Sequence, residues 1–261
     1  MSDILNAVDR AVEGQFAGQP ESSRRKFVGL AAATVGGLGL MAAKPKTAWA
    51  KGDSTQSILN VAASAEVLAT IVNTVAWKRN LGVDAVTQRN LAAAAREELL
   101  HFRLLRRFGG KPASRMVWVP DAVFANRTNL LSTLEVGDQI FVNAYLVATH
   151  AFGSRGQGDL ATFTAEFMGV EAVHRALARQ SLGKLGNDRI FMKFDQVEKA
   201  PDAPNRGQRG FDRIDGAVKQ LLKAGFNFGA KGASPGRFFD FGEVRKDTPT
   251  DPDLNTRMVR A

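Results

Sequence analysis

From Ser57 to Trp77 the chain reads SILNVAASAEVLATIVNTVAW, in which Glu66 is the one charged residue. A helix apolar around its whole circumference is a buried helix, and an ionised carboxylate inside it is costly unless it is paired or holds a metal. The next helical pattern runs from Val86 to Phe108. Leu91, Ala94, Ala95, Phe102 and Leu105 share a face with Glu98 and His101, Arg96, Arg103 and Arg107 mark the wet side, and Gly109, Gly110 and Pro112 end the segment. A third helix is predicted from Asn129 to Phe152, with Glu135 and Asp138 as its only acidic residues, one turn apart on one face. The fourth, from Leu160 to Leu182 with Asp159 as its N-cap, carries Glu171 and His174 on the stripe of Phe163, Phe167 and Ala178. Each of the four helices therefore presents at least one inward acid.

Spacing sets the depth of these acids. Glu66 and Glu98 each lie 16 residues from a turn centred on Gly82, or about 24 Å along an antiparallel pair. Around a second turn centred on Gly156, Glu171 lies at 15 residues, Asp138 at 18 and Glu135 at 21, so Asp138 matches better. Glu171 follows Glu98 by 73 positions and Asp138 follows Glu66 by 72, as expected if one helix hairpin is used twice. Residues 109 to 128 have no helical periodicity. Twenty extended residues reach about 60 Å and a 23-residue helix is about 35 Å long. This segment is predicted to be a crossover that leaves helices two and three parallel.

The histidines sharpen the chemistry. The chain has three, and two of them, His101 and His174, follow a glutamate by three, as Glu98-x-x-His101 and Glu171-x-x-His174. The alternative for these pairs is salt bridging to nearby arginines; for Glu66 it is a hydrogen-bonded buried carboxyl. Tyr145, the only tyrosine, is expected to be a core residue rather than a hydrogen-bond donor to a ligand, and His150, about 120° around the helix from Asp138, is read as structural. With no cysteine, disulfides and thiolate metal sites are excluded, so any metal takes oxygen and nitrogen ligands.

The net charge of +9 raises the question of nucleic acid. No long basic block or aromatic-interleaved basic motif accompanies it, so nucleic-acid binding is not expected and a solvated basic face is. The opening fifty residues carry an address instead. SSRRKFV at 22 to 28 precedes an uncharged run from Val28 to Ala43, then Lys44, Lys46 and AWA at 48 to 50. That order is expected of a twin-arginine export signal, with Arg24 and Arg25 read by the export machinery and cleavage after Ala50. Gly29, Gly36, Gly37 and Gly39 make the apolar run too weak for a membrane span, so a soluble, periplasmic or otherwise extracytoplasmic mature chain without stable membrane insertion is expected. This route carries folded proteins, often with a cofactor already loaded.

Past Leu185 the composition turns to Gly, Pro and charge. One short amphipathic helix is predicted at 212 to 225, with Ile214, Val218, Leu221 and Leu222 as the face that docks on the helices. GRFFDF at 236 to 241 is expected to pin the tail, and disorder is expected beyond Lys246. The expected organisation is a signal peptide over 1–50, a four-helix unit over 54–184 and a C-terminal extension over 185–261.

One Glu from each of two helices, Glu-x-x-His from each of the other two, and one long crossover between helices 2 and 3 resemble the ferritin-like superfamily, whose four-helix bundles hold two iron or manganese ions. More narrowly, LNVAASAE at 59–66, EELLH at 97–101, DQIFVNAY at 138–145 and GVEAVH at 169–174 are similar to exported ferritin-like domain proteins, which include plant desiccation-related proteins. The resemblance implies an all-α fold and a metal site of Glu66, Glu98, His101, Glu171 and His174, with Asp138 or Glu135 in the slot that family members fill with Glu. Carboxylates and imidazoles without thiolate suit two Fe or Mn ions, with dioxygen or peroxide as the small substrate, or iron itself as cargo, in a chain that could form a homo-oligomer. The shorter Asp138 favours an alternative: a non-enzymatic stress or desiccation-related protein whose site is degenerate or structural.

Overall fold

The structure, a computed structural model, describes residues 54–187, 211 and 213–254. The expected signal segment and its cleavage position lie outside the described residues. The described chain is mostly helical, with a small sheet. Four long helices come first: α1 (Thr55–Lys78), α2 (Ala85–Arg107), α3 (Arg127–Gly153) and α4 (Gly158–Ser181). Three begin with a side-chain cap. Ser54, Asp84 and Asn126 accept from the backbone N–H of Ser57, Thr87 and Asn129, satisfying donors that a helix start leaves open. Asp159 does not cap α4; that position falls to Gln157, which makes no side-chain capping bond, and Asp159 sits in the first turn, where its charge still suits the helix dipole.

Helix α1 is buried from Ser57 to Ala76 apart from the half-buried Asn60. Among the described residues it is the one helix long and apolar enough to cross a membrane, and it is instead enclosed by protein. Helix α1 packs on α2 and α3, and α4 packs on α3 and α2. Polar contacts define which ends meet. Arg127 at the start of α3 donates to Asp84 Oδ2 at the start of α2 (2.8 Å), Thr55 at the start of α1 donates to Gln157 at the start of α4 (2.8 Å), and Thr87 on α2 bonds Ser181 at the end of α4 (2.9 Å). Helix α2 closes at Gly109, with φ of +88°, and Gly110, where a Cβ would lie 2.9 Å from the Leu59 carbonyl of α1. Only glycine allows that approach.

The connector is more structured than its lack of helical periodicity suggests. Residues Met116–Pro120 form β1 and Asp121–Phe124 a 3-10 turn. Strand β1 is the centre of a three-stranded antiparallel sheet, flanked by β2 (Asn227–Phe228) and β3 (Gly236–Asp240). Trp118 pairs with Asn227 on one side and Phe238 on the other. A period of two over five residues is too short to stand out, and its partners lie more than a hundred residues away. The segment GRFFD thus pins the C-terminal part of the chain by strand pairing.

Helix α5 (Asp215–Lys223) buries Ile214, Ala217, Val218 and Leu221. Leu222, expected on that face, is 39% exposed because the i, i+3, i+4, i+7 stripe from Ile214 selects Ala217 instead. A last turn, α6 (Phe241–Val244), sets Phe241 edge-on to Phe102 at 4.7 Å. Disorder beyond Lys246 is not what the structure has up to Leu254: Asp247 pairs with Lys78 (2.6 Å), Thr248 bonds the buried Thr74 (2.9 Å) and the Leu254 carbonyl accepts from Arg89 (2.8 Å).

Candidate metal centre

Glu66 from α1, Glu98 and His101 from α2, and Glu171 from α4 meet in the interior. One ligand atom from each lies within 4.8 Å of all the others, and this group can hold a metal ion. The helical periodicity that buries Leu91, Phe102 and Phe167 also turns these polar groups inward. His101 Nδ1 lies 3.7 Å from Glu66 Oε2, 3.5 Å from Glu98 Oε2 and 3.7 Å from Glu171 Oε1. His174 Nδ1 lies 3.1 Å from Glu98 Oε1 and 3.6 Å from Glu171 Oε2. Glu98 and Glu171 therefore each direct one oxygen to one imidazole and the other oxygen to the second.

These contacts lack hydrogen-bond geometry. Glu66 Oε2, both oxygens of Glu98 and of Glu171, and Nδ1 of both histidines are buried without a hydrogen-bond partner among the described residues. Leaving one such group unsatisfied costs about 1–3 kcal/mol, more when it is charged. Seven lone-pair-bearing atoms facing one another are poor company for themselves and a good cage for a cation.

The titration behaviour expresses the same conflict. Burial, with Glu98 beside it, raises Glu66 from 4.5 to about 8, and burial followed by Glu98 raises Glu171 well above its ordinary range. Burial opposes a charge on His101, but Glu66 and Glu98 override it and raise the imidazole from 6.5 to about 10. His174 is likewise raised against burial by Glu171, Glu97 and Glu98. Burial would raise Glu98, but the imidazoles of His101 and His174 beside it override burial and hold the carboxylate below its usual range. Without a cation, the cluster is neutralised by protons.

The two third-helix acids part company. Glu135 does not face the cluster: both of its oxygens are taken, by Arg179 Nη1 and Lys184 Nζ at 2.6 Å each. Asp138 is buried, makes no hydrogen bond among the described residues, and has His174 and Glu98 as electrostatic neighbours; burial raises its carboxyl well above the ordinary value. His150 is exposed at the far end of α3.

Three neighbours support the cluster: Tyr145, expected from the sequence to be a plain core residue, and Glu97 and Phe167, which were given no part in the site. Tyr145 hydrogen-bonds Glu66 Oε1 through its hydroxyl, so it is not a plain core tyrosine. Its position seven residues beyond Asp138, two helical turns on, was the available signal. Glu97 bonds His174 Nε2 at 2.7 Å; adjacent to Glu98, it is turned about 100° away on its own helix, and nothing in the sequence marks it as reaching another helix. Phe167 stacks on His101 at 4.0 Å and walls the site from water. Compared with known protein families, with curated proteins and with solved structures, the chain matches none.

Proposed function

We propose that this chain is an exported ferritin-like protein whose interior holds two iron or manganese ions and that works on dioxygen or peroxide, or handles iron. The observation that carries the reading is the division of Glu98 and Glu171 between the two imidazoles, with Nδ1 of His101 and His174 both unpartnered. Two carboxylates shared by two nitrogen donors suit a pair of cations better than one. Glu66 would complete the His101 side, and Asp138 the His174 side. Support for the ferritin-like topology comes from the helix ends: the starts of α2 and α3 meet through Asp84 and Arg127, as a crossover through residues 109–126 requires.

Iron or manganese bound there supplies one-electron redox steps toward oxygen species. The chain's own residues prepare the site. Glu97 accepting from Nε2–H of His174 fixes the tautomer that turns the Nδ1 lone pair inward. Tyr145 donates to Glu66 Oε1 and leaves Oε2 free to face the cluster. Phe167 and the α1 core keep bulk water out.

One observation favours a second reading, a stress or desiccation-related protein with a structural or degenerate site: the third-helix carboxylate is the short Asp138, and the longer Glu135 is locked by Arg179 and Lys184. Metal analysis of protein purified from a host that exports it, before and after anaerobic Fe(II) or Mn(II) loading, separates the two. About two equivalents per chain and an optical change on exposure to oxygen or peroxide are expected. A chain that stays below about half an equivalent after loading overturns the dinuclear reading.

A further inference from the structure

An apolar cleft with about 50 Å³ of free volume lies between α1, α3 and α5. Val72, Val123, Ile140, Phe141, Leu221 and Phe226 form its walls. A second cavity of about 30 Å³ between the long helices has His174 on its wall. The two share Asn73, Leu134 and Asp138, so these three side chains stand between the cleft and the metal-side cavity. Asp138, 6% exposed and without a hydrogen bond among the described residues, offers an acceptor at that junction.

We infer that this open cleft binds a small neutral organic molecule whose apolar body, one aromatic ring or a six-carbon chain, lodges partly in it, with a hydrogen-bond-donating end held at Asp138. The walls fix the chemistry. Among the described residues no lysine or arginine lines the cleft, so a carboxylate or phosphate has no partner there. An apolar body gains by leaving water, and one polar group at the inner end sets its orientation. Delivery of that end toward the metal-side cavity rests on the metal reading proposed above; occupancy of the cleft does not.

Gly137 provides the means to test it. It lines the cleft within α3, and a Cβ built on it meets no atom within 4 Å, so a side chain can start from the cleft wall there without striking the protein. The probe is 4-fluorobenzyl alcohol, followed by ¹⁹F NMR on the full chain. Saturable binding to metal-free protein is expected, with fluorobenzene, which lacks the donor, about tenfold weaker. Gly137→Leu is expected to weaken the alcohol at least about tenfold, and Gly137→Ala, which also favours the helix, to weaken it less. Mn(II)-loaded protein is expected to broaden the bound fluorine signal strongly.

Absence of saturable binding, or wild-type affinity in a folded Gly137→Leu, overturns the inference; if that variant does not fold, wild-type affinity in Gly137→Ala with equal affinity for fluorobenzene does so. Binding without broadening in protein that has taken up Mn(II) overturns the link to the metal. A chain that binds the alcohol but takes up no Mn(II) defeats the metal reading while upholding the ligand site.

Discussion

Glu97 Oε2 sits 2.7 Å from Nε2 of His174, whereas among the described residues no comparable partner holds His101, which stacks on Phe167 at 4.0 Å. The two imidazoles of the site are thus held by different means, one by a carboxylate and one by a ring. A carboxylate accepting from the outer nitrogen makes the inner one a stronger donor. The His174 half of the site should therefore bind metal more tightly than its geometry alone implies.

Glu97→Ala removes that support without touching the inward-facing atoms. Mn(II) affinity at the His174 side should fall about 10- to 100-fold, and Glu97→Gln, which keeps an acceptor but loses the charge, should fall less. Competition with a chelating dye at pH 7.5 measures both. Unchanged affinity in Glu97→Ala would mean that the pair is an ordinary surface-edge contact, as its partial exposure allows.

Asp138 and Glu135 are separated by their surroundings rather than by sequence distance. Asp138→Ala should lower metal stoichiometry. Glu135→Ala should leave it near wild type and instead cost about 2 kcal/mol of stability, less than the 3–5 expected for a fully buried pair because Arg179 and Lys184 reach solvent in part. Metal analysis and urea melts on both variants decide it. An empty site in Glu135→Ala beside a filled one in Asp138→Ala would reverse the assignment.

How much of this was legible follows from the range of each signal. Glu98, His101, Glu171 and His174 are marked twice, by their i, i+3 spacing and by the apolar stripes that carry them inward, so their convergence is readable from helix geometry. Glu66 is marked by solitude in an apolar helix. Tyr145 on Glu66, Glu97 on His174 and Arg179 on Glu135 are contacts between helices, and Lys184 reaches Glu135 from the turn after α4; rotation and rotamer decide them, which periodicity does not carry. The strand Met116–Pro120 was hidden for a related reason: its partners come from 227–228 and 236–240, and local pattern says nothing of pairing at that separation.

The twin arginines make a prediction outside the described residues. If Arg24 and Arg25 are read by an export receptor, charge alone does not suffice, and replacing both by lysine should leave the full-length chain in the cytoplasm. Fractionation with immunoblotting measures it. Unchanged mature protein outside the cytoplasm would remove the export assignment.

Metal should matter more to stability as pH rises. Glu66, raised from 4.5 to about 8, holds a proton in the folded metal-free protein that the unfolded chain releases, so stability falls with pH across that window. His101, raised from 6.5 to about 10, has the same sign: its contribution is complete below 6.5 and lost as pH approaches 10. Glu98, held below its usual range, acts oppositely, but only below 4.5. From pH 5.5 to 8 the metal-free protein should therefore lose stability, by up to about 1.4 kcal/mol per pH unit for each proton retained. Metal binding has the reverse dependence, because it needs these carboxylates and imidazoles free of protons. The melting-temperature gap between Mn(II)-loaded and chelator-treated protein should be small at pH 5.5 and widen steadily to pH 8. A gap that stays constant, or a metal-free protein that grows more stable over this range, would mean that the buried acids are satisfied by something other than protons and metal.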